Sequence, residues 1–478
     1  MTLFMIILFW IKSCRPHKYP PGPIPLPFIG NFYNLLTGSF FKTIRDLRKT
    51  YGDIFSLSLG SHWVIVVNGI DNLREILVKR GEFTTDRPSF YVFRQGRNKG
   101  VVSASGETWK HQRAFTLSKL RDFGFGKRSF ESSILEEVES FVNLLVSFKG
   151  QPFDISSAIH TSMSNNVMSI TIGRRFEYDD PNFKYFVKLL NENANNAAFA
   201  GPLNFVPFLK KIPGDPFGAR RISRNVRETF EFFRKEIKQH ESSLSDDVRD
   251  FIDVYLKEIK ERQNDQNNEF TGAQLLSIIA DLFVAGTETT ATGIRWAILY
   301  LINNINVQTK MRSEIEEVVG CSRLPNMSDK PNLPYCEAVI HESLRLGNIV
   351  PYSLPHKVSN DIYYKGYKIP KDSVIIPSLD SVLFDESLFP DCETFNPERF
   401  IGKDGTLCGL ENVVAFSLGR RVCLGESLAR MEMFLYLTAL VQRFEFMPPE
   451  GEDPPPITGR FGVTHSPHEF KMRAIFKS

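Results

Sequence analysis

The stretch Phe416-Ser417-Leu418-Gly419-Arg420-Arg421-Val422-Cys423-Leu424-Gly425 constrains this chain more than any other. Its cysteine stands directly before Leu424 to Phe444, a run rich in Leu, Met and Phe that reads as a final helix. The start of a helix offers free N–H groups and a partial positive charge. Both stabilise a thiolate and lower its pKa. Gly419 permits a tight turn, and Gly425 lets a flat cofactor approach the backbone. Arg421 is placed to pair with a carboxylate, and Phe416 to pack against a ring face. A cysteine in apolar surroundings is more often an inert core residue. It is the whole spacing, F-x-x-G-x-R-x-C-x-G, that argues otherwise.

A second constellation lies within a long helix expected from about Thr271 to Asn303, with Thr271 as its N-cap. Asp281, Ala285 and Thr289 are four residues apart and share one face. That face is small and partly polar, where a core helix is normally large and apolar. Gly286 costs about 1 kcal/mol against Ala in mid-helix. Small residues beside a β-branched alcohol make room for a ligand. The plain alternative is a Thr289 that bonds back to its own helix carbonyl and a solvated Glu288.

Charged pairs at helical spacing are weaker signals. Glu342 and Arg345 stand at i, i+3 and can pair, but Glu231 and Arg234 share that spacing and read as a surface pair. Trp109 and Arg113 share a helix face at i, i+4.

Composition limits the function classes. The chain has 478 residues, 42% of them hydrophobic and 24% charged, which is ordinary for a folded protein. The 41 Phe residues suit a large apolar interior. A net charge of +3, with no Lys/Arg-rich run, argues against a nucleic-acid partner. The six cysteines (Cys14, Cys321, Cys336, Cys392, Cys408 and Cys423) form no C-x-x-C pair, which fits a reducing compartment.

Residues 1–15 hold an unbroken apolar run, Leu3–Ile11, followed by Lys12 and Arg15. It is about half the length of a membrane span and lacks a small-residue cleavage site, so it reads as a short membrane anchor. Residues 16–30 contain Tyr19-Pro20-Pro21-Gly22-Pro23-Ile24-Pro25-Leu26-Pro27, a stiff extended linker arm. Ile54 to Val67 looks like a hairpin around Gly60-Ser61. Helical patterns dominate from about 105 to 345, and short strands are expected between Tyr352 and Pro377. With no internal repeat and no clean linker, residues 31–478 read as one large helix-rich domain with small β-sheets, a mainly α fold.

The Phe416–Gly425 segment resembles the haem-binding segment of the cytochromes P-450 at every fixed position. Ala285-Gly286-Thr287-Glu288-Thr289-Thr290 resembles that family's oxygen-activation motif. Glu342-Ser343-Leu344-Arg345, then Pro397-Glu398-Arg399-Phe400, then the cysteine segment resemble its helix pair, meander and haem loop in order. The likeness runs from about Pro20 to the C-terminus and is nearest in wording to the microsomal drug-, steroid- and fatty-acid-oxidising branch. The leading apolar run is shorter than that branch usually carries.

The resemblance implies the family's mostly helical fold and haem b, iron protoporphyrin IX, with Cys423 as axial thiolate. Arg421, Trp109, Arg113, Arg87 and His356 would hold the propionates, Ala285 would lie over the ring, and Arg399 would join Glu342 and Arg345. Thr289 would hold the activated dioxygen, and Glu288 would relay protons through water. Val101, Val102, the region 197–205, Asp281, Leu354 and Val463 are the pocket candidates. The implied reaction inserts one atom of O2 into a fatty acid, steroid or xenobiotic. Electrons would come from NADPH through a flavoprotein reductase, with a cytochrome b-type donor as a further source. The implied place is the endoplasmic reticulum membrane, cytoplasmic side, with a mitochondrial alternative. The other readings are a peroxide-rearranging isomerase on the same scaffold, and a haem- or ligand-binding protein without turnover.

Overall fold

The computed structural model describes residues 15–26, 29–36, 40–60, 62–91, 98–124, 128–266 and 268–477. The expected anchor Leu3–Ile11 lies outside these, as do Pro27 of the arm and Ser61 of the hairpin turn.

The fold is built around one helix. The main helices are α1 (Phe40–Tyr51), α2 (Gly106–Asp122), α3 (Arg128–Ser147), α4 (Ser156–Ile172), α5 (Pro181–Phe205), α6 (Ala219–Ser242) and α7 (Phe251–Glu261). They continue with α8 (Gly272–Asn303), α9 (Ile305–Val318), α10 (Pro334–Gly347) and α11 (Glu426–Arg443). Helix α8 starts where expected, because the Thr271 side chain accepts the Gln274 N–H at 3.2 Å. From Thr290 to Ile302 every residue of α8 is buried. An apolar surface on all sides needs neighbours on all sides, and α4, α6, α10 and α11 supply them. By length and composition α8 could cross a membrane, but 61% of that window is buried inside the protein. It is the core helix.

Helix α4 is nearly as buried as α8, yet it carries Ser, Thr, Asn and His. Buried polar groups require partners. Ser162 Oγ bonds Glu137 of α3 at 2.9 Å and the Tyr436 hydroxyl of α11 at 2.7 Å, and Asn165 Nδ2 donates to the Phe176 carbonyl at 2.8 Å. These bonds lock α4 between α3, α11 and α8.

The strands lie apart from this bundle. The expected hairpin is β1 (Ile54–Leu59) and β2 (His62–Val67), antiparallel with Ile54 opposite Val67. The strands expected between 352 and 377 are β3 (His356–Lys357), β4 (Ile362–Tyr364), β5 (Tyr367–Ile369) and β6 (Val374–Pro377). Strand β6 runs parallel to β2, and the four-stranded order is β1-β2-β6-β3. Near the C-terminus β7 (Phe444–Met447) pairs with β10 (Arg473–Phe476), and β8 (Gly459–Phe461) with β9 (His465–Pro467). The alternation in these last strands was too short to anticipate.

Glu342 and Arg345 of α10 form the expected pair, with both side chains at 0% exposure. Arg345 Nε and Nη2 reach the two carboxylate oxygens at 2.7 and 2.8 Å, and Arg399 Nε joins at 3.1 Å. Arg345 Nη1 also donates to the carbonyls of Leu383 and Cys392. Glu231 is exposed and pairs with no cation among the described residues. Glu342→Ala or Arg345→Ala should therefore destabilise the fold by about 3–5 kcal/mol, because the remaining charge is left buried and unpaired. Glu231→Ala should change stability by no more than about 0.5 kcal/mol. Urea unfolding of the three variants checks this; equal midpoints would show that the cluster does not hold the fold.

Candidate active site

An internal cavity lies between α8 and the loop that leads into α11. Ala285, Gly286 and Thr289 line one side, and Phe416, Cys423 and Gly425 the other. The loop takes its shape from two residues in the left-handed region, Ser417 at φ 65° and Gly419 at φ 78°. A Cβ on Gly419 would sit 2.0 Å from the Leu77 carbonyl oxygen, so only glycine fits. The chain then makes a short helical turn, Gly419–Arg421, and the Cys423 N–H closes back on the Phe416 carbonyl at 3.0 Å. The Phe416 ring is fixed by the Arg430 guanidinium, 4.9 Å from its centre.

Helix α11 begins at Glu426, two residues later than expected. Cys423 is accessible, yet it lies deep in the protein: what it faces is the cavity. Burial raises the pKa of its thiol, and this outweighs the N–H groups of Gly425 and Glu426 and the Arg113 charge, which lower it. The helix start therefore acts as expected, but it does not by itself make the group a thiolate. That requires a cation on the sulfur.

At one end of the cavity the guanidinium groups of Arg87, Arg113 and Arg421 converge. Arg421 stacks over the Trp109 ring at 4.0 Å and Arg113 at 5.9 Å. Arg421 was expected to pair with a carboxylate, but its hydrogens go to the carbonyls of Thr85, Val101 and Ala104. Arg87 is likewise bonded to the carbonyls of Leu354 and Pro355, and Arg113 to that of Val422. Burial, then its like-charged neighbours, lower Arg421 to about 8, and burial followed by Arg113 lowers Arg87 to about 9. A guanidinium scarcely gives up its proton, so these groups stay cationic although burial disfavours the charge. The Trp109 indole N–H is also buried with no partner. A haem fits this donor set: two propionates would supply the anions and the acceptor, and the iron would supply the cation for Cys423.

His356 is buried but is not among the lining residues; its Nδ1 sits 2.5 Å from the Thr84 carbonyl. Burial and the Arg87 charge hold its pKa well below the ordinary value. Val101, Val102, Asp281 and Leu354 line the cavity as expected. Asp281 uses one carboxylate oxygen to accept the N–H groups of Val101 and Val102 at 2.8 and 2.9 Å, pinning that loop to α8. Burial pushes its carboxyl up to about 7. Val463 corrects the sequence reading: it is 46% exposed and lies outside the lining. In the region 197–205, the side chains of residues 197–200 lie outside the description, and Leu203 is buried against Ala219 and Ile222 of α6.

The acid–alcohol pair is split. Thr289 lines the cavity, but its hydroxyl donates back to the Ala285 carbonyl at 2.7 Å, which leaves its lone pairs for the cavity. Glu288 is neither solvated nor in the lining. Its Oε2 lies 3.0 Å from His160 Nε2 of α4, and its Oε1 accepts from Thr464 at 3.1 Å. Sequence reasoning missed His160 and Thr464, since they come from 128 and 176 residues away. It also missed Glu432 of α11, a buried carboxyl in the lining that burial raises to about 8.

A family model described as cytochrome P450 matches residues 20–473. Cytochrome P450 2E1 of Mus musculus is 38% identical over 485 residues, covering 100% of this chain and 97% of the relative. Cytochrome P450 2D26 of Rattus norvegicus is 37% identical over 98% of this chain and 96% of its own. Cytochrome P450 2C3 of Oryctolagus cuniculus is 37% identical over 96% and 95% respectively.

Proposed function

The chain belongs to the cytochrome P450 family of haem-dependent monooxygenases, and from that premise we propose that Cys423 is its axial thiolate and the cavity its site of substrate oxidation. The observation that carries this assignment is the meeting, on one cavity, of Cys423, three guanidiniums (Arg87, Arg113 and Arg421) and, beside Arg421, the orphaned Trp109 N–H. When bound, haem supplies the activation of O2, and thiolate ligation favours O–O cleavage.

The protein's part is to bind, orient and deliver protons. Trp109, Arg113, Arg87 and Arg421 hold the propionate edge, with His356 as a neutral, buried neighbour. Phe416 and Gly425 would help to seat the haem beside Cys423, and the small residues Ala285 and Gly286 leave room in the cavity. Thr289, with its own proton committed to Ala285, accepts a hydrogen bond in the cavity and so orders what donates there. Glu288, one residue away, relays protons toward the cavity through water.

Val101, Val102, Leu354 and Ile349 give the remaining wall an apolar character. It suits a lipophilic substrate of the fatty-acid, steroid or xenobiotic kind. Electrons come from a redox partner, which we assign as an NADPH-dependent flavoprotein reductase, with a cytochrome b-type protein as an additional donor. Turnover of a lipophilic panel with NADPH and reductase tests the reading. Conversion of a hydroperoxide without reductase would favour the isomerase alternative.

Membrane attachment follows from two places. The run Leu3–Ile11 as a helix is about 14 Å long at 1.5 Å per residue, against a hydrocarbon core of about 30 Å. A second contact is available after α5, where Phe208 is 67% and Ile212 36% exposed beside the exposed Lys210 and Lys211. Phe205, also in this stretch, is excluded: its ring packs on Phe90 at 4.9 Å and Phe32 at 5.7 Å. The catalytic domain would then lie on the cytoplasmic face of the endoplasmic reticulum.

Thr289→Ala should keep its haem but form several-fold less product per NADPH, with the difference appearing as peroxide. Unchanged coupling would make Thr289 a packing residue. Deleting residues 1–15 should weaken membrane association, and adding Phe208→Ser with Ile212→Ser should release the protein. Fractionation after a high-salt wash checks this, and full release by the deletion alone would refute the second contact.

A further inference from the structure

Helix α4 presents one buried titratable side chain to α8, His160, whose side chain is 4% exposed. Its Nδ1 lies 2.6 Å from the Ser156 carbonyl, an acceptor only, so Nδ1 carries a hydrogen. Its Nε2 lies 3.0 Å from Glu288 Oε2. A single further proton can therefore occupy the line between nitrogen and oxygen. On the nitrogen it makes an imidazolium–carboxylate pair, and on the oxygen a neutral pair of the same total charge. The other carboxylate oxygen is held by Thr464 Oγ1 at 3.1 Å, from the β8–β9 turn, and more distantly by Thr292 Oγ1 at 3.5 Å.

We propose that His160 is the positioning residue of the proton relay: it clamps the Glu288 carboxyl one residue from Thr289 and shares with it one titratable proton. This rests on the reading of Glu288 and Thr289 given above. When that proton leaves toward the cavity, a neutral imidazole and a carboxylate remain, one unit more negative than before. A proton from solvent restores the pair. Burial pushes the Glu288 carboxyl up, but the His160 bond and charge outweigh it, and the carboxyl stays below its ordinary range. The other charge that faces Glu288 is Arg295 of α8, which itself feels Asp154, Arg460 and Glu469. None of these occupies the Nε2–Oε2 line, so the pH dependence of the relay belongs to the dyad.

The test uses the haem-loaded protein with NADPH-dependent reductase, comparing wild type with His160→Gln and His160→Phe. The glutamine still donates to Glu288 but does not titrate, while the phenylalanine does neither. Product and peroxide per NADPH are measured as a function of pH. The wild type should show a step in coupling that His160→Gln lacks. His160→Phe should release several-fold more peroxide. A second readout does not depend on turnover: the infrared carboxylate band that Glu288→Gln removes should shift in His160→Gln. If His160→Phe does not fold, His160→Gln decides through both readouts. Wild-type coupling and an unshifted band in the His160 variants, with Thr289→Ala uncoupled, would overturn the proposal. Coupling preserved in Thr289→Ala as well would instead overturn the reading it rests on.

Discussion

One buried carboxylate anchors the approach to the site. Glu342 accepts from Arg345 twice, from Arg399 and from the Asn396 backbone N–H. Through Arg345 and Arg399 the same cluster also binds the carbonyls of Leu383, Pro390, Asp391, Cys392 and Thr394. A chain that would otherwise be loop is thereby fastened to α10. Desolvation offsets much of the attraction within such a cluster, so its contribution is a unique geometry more than net stability. The chain from Leu383 to Arg399 that leads toward the Phe416–Gly425 loop is fixed in this way.

The cavity is in turn organised by clustered positive charge. Three guanidiniums, those of Arg87, Arg113 and Arg421, are satisfied as hydrogen-bond donors by backbone carbonyls. Among the described residues none forms an ion pair with a carboxylate, although Asp86 and Asp281 act on Arg421 from farther off. Trp109 adds a donor without an acceptor, and Cys423 a thiol whose pKa burial raises. On the far side, α8 keeps its acid out of the cavity and its alcohol in it.

Much of this was legible in the sequence, and what was legible was local. The Thr271 cap, the β1–β2 hairpin, the Glu342–Arg345 pair and the left-handed turn at Gly419 each follow from a few residues at fixed spacing. Long-range packing decided the rest. Glu288 gave no sign that it would meet His160 and Thr464 rather than water. Phe205, in the region 197–205 expected at the pocket, packs instead on Phe32 and Phe90. Val463 follows β8 on the rim of a short hairpin whose alternation was too brief to read. Arg421 lines the cavity, but its carbonyl partners come from loops more than three hundred residues away in the chain.

The claim that Cys423, and no other cysteine, ligates the haem iron is tested most directly by the reduced carbon-monoxide difference spectrum. Cys336 is fully buried with its pKa raised by burial, and Cys408 lies exposed beside the Arg399 carbonyl, so both serve as controls. Cys336→Ser and Cys408→Ser should keep the thiolate band of the wild type, while Cys423→His should lose it. An unchanged thiolate band in Cys423→His would contradict the account.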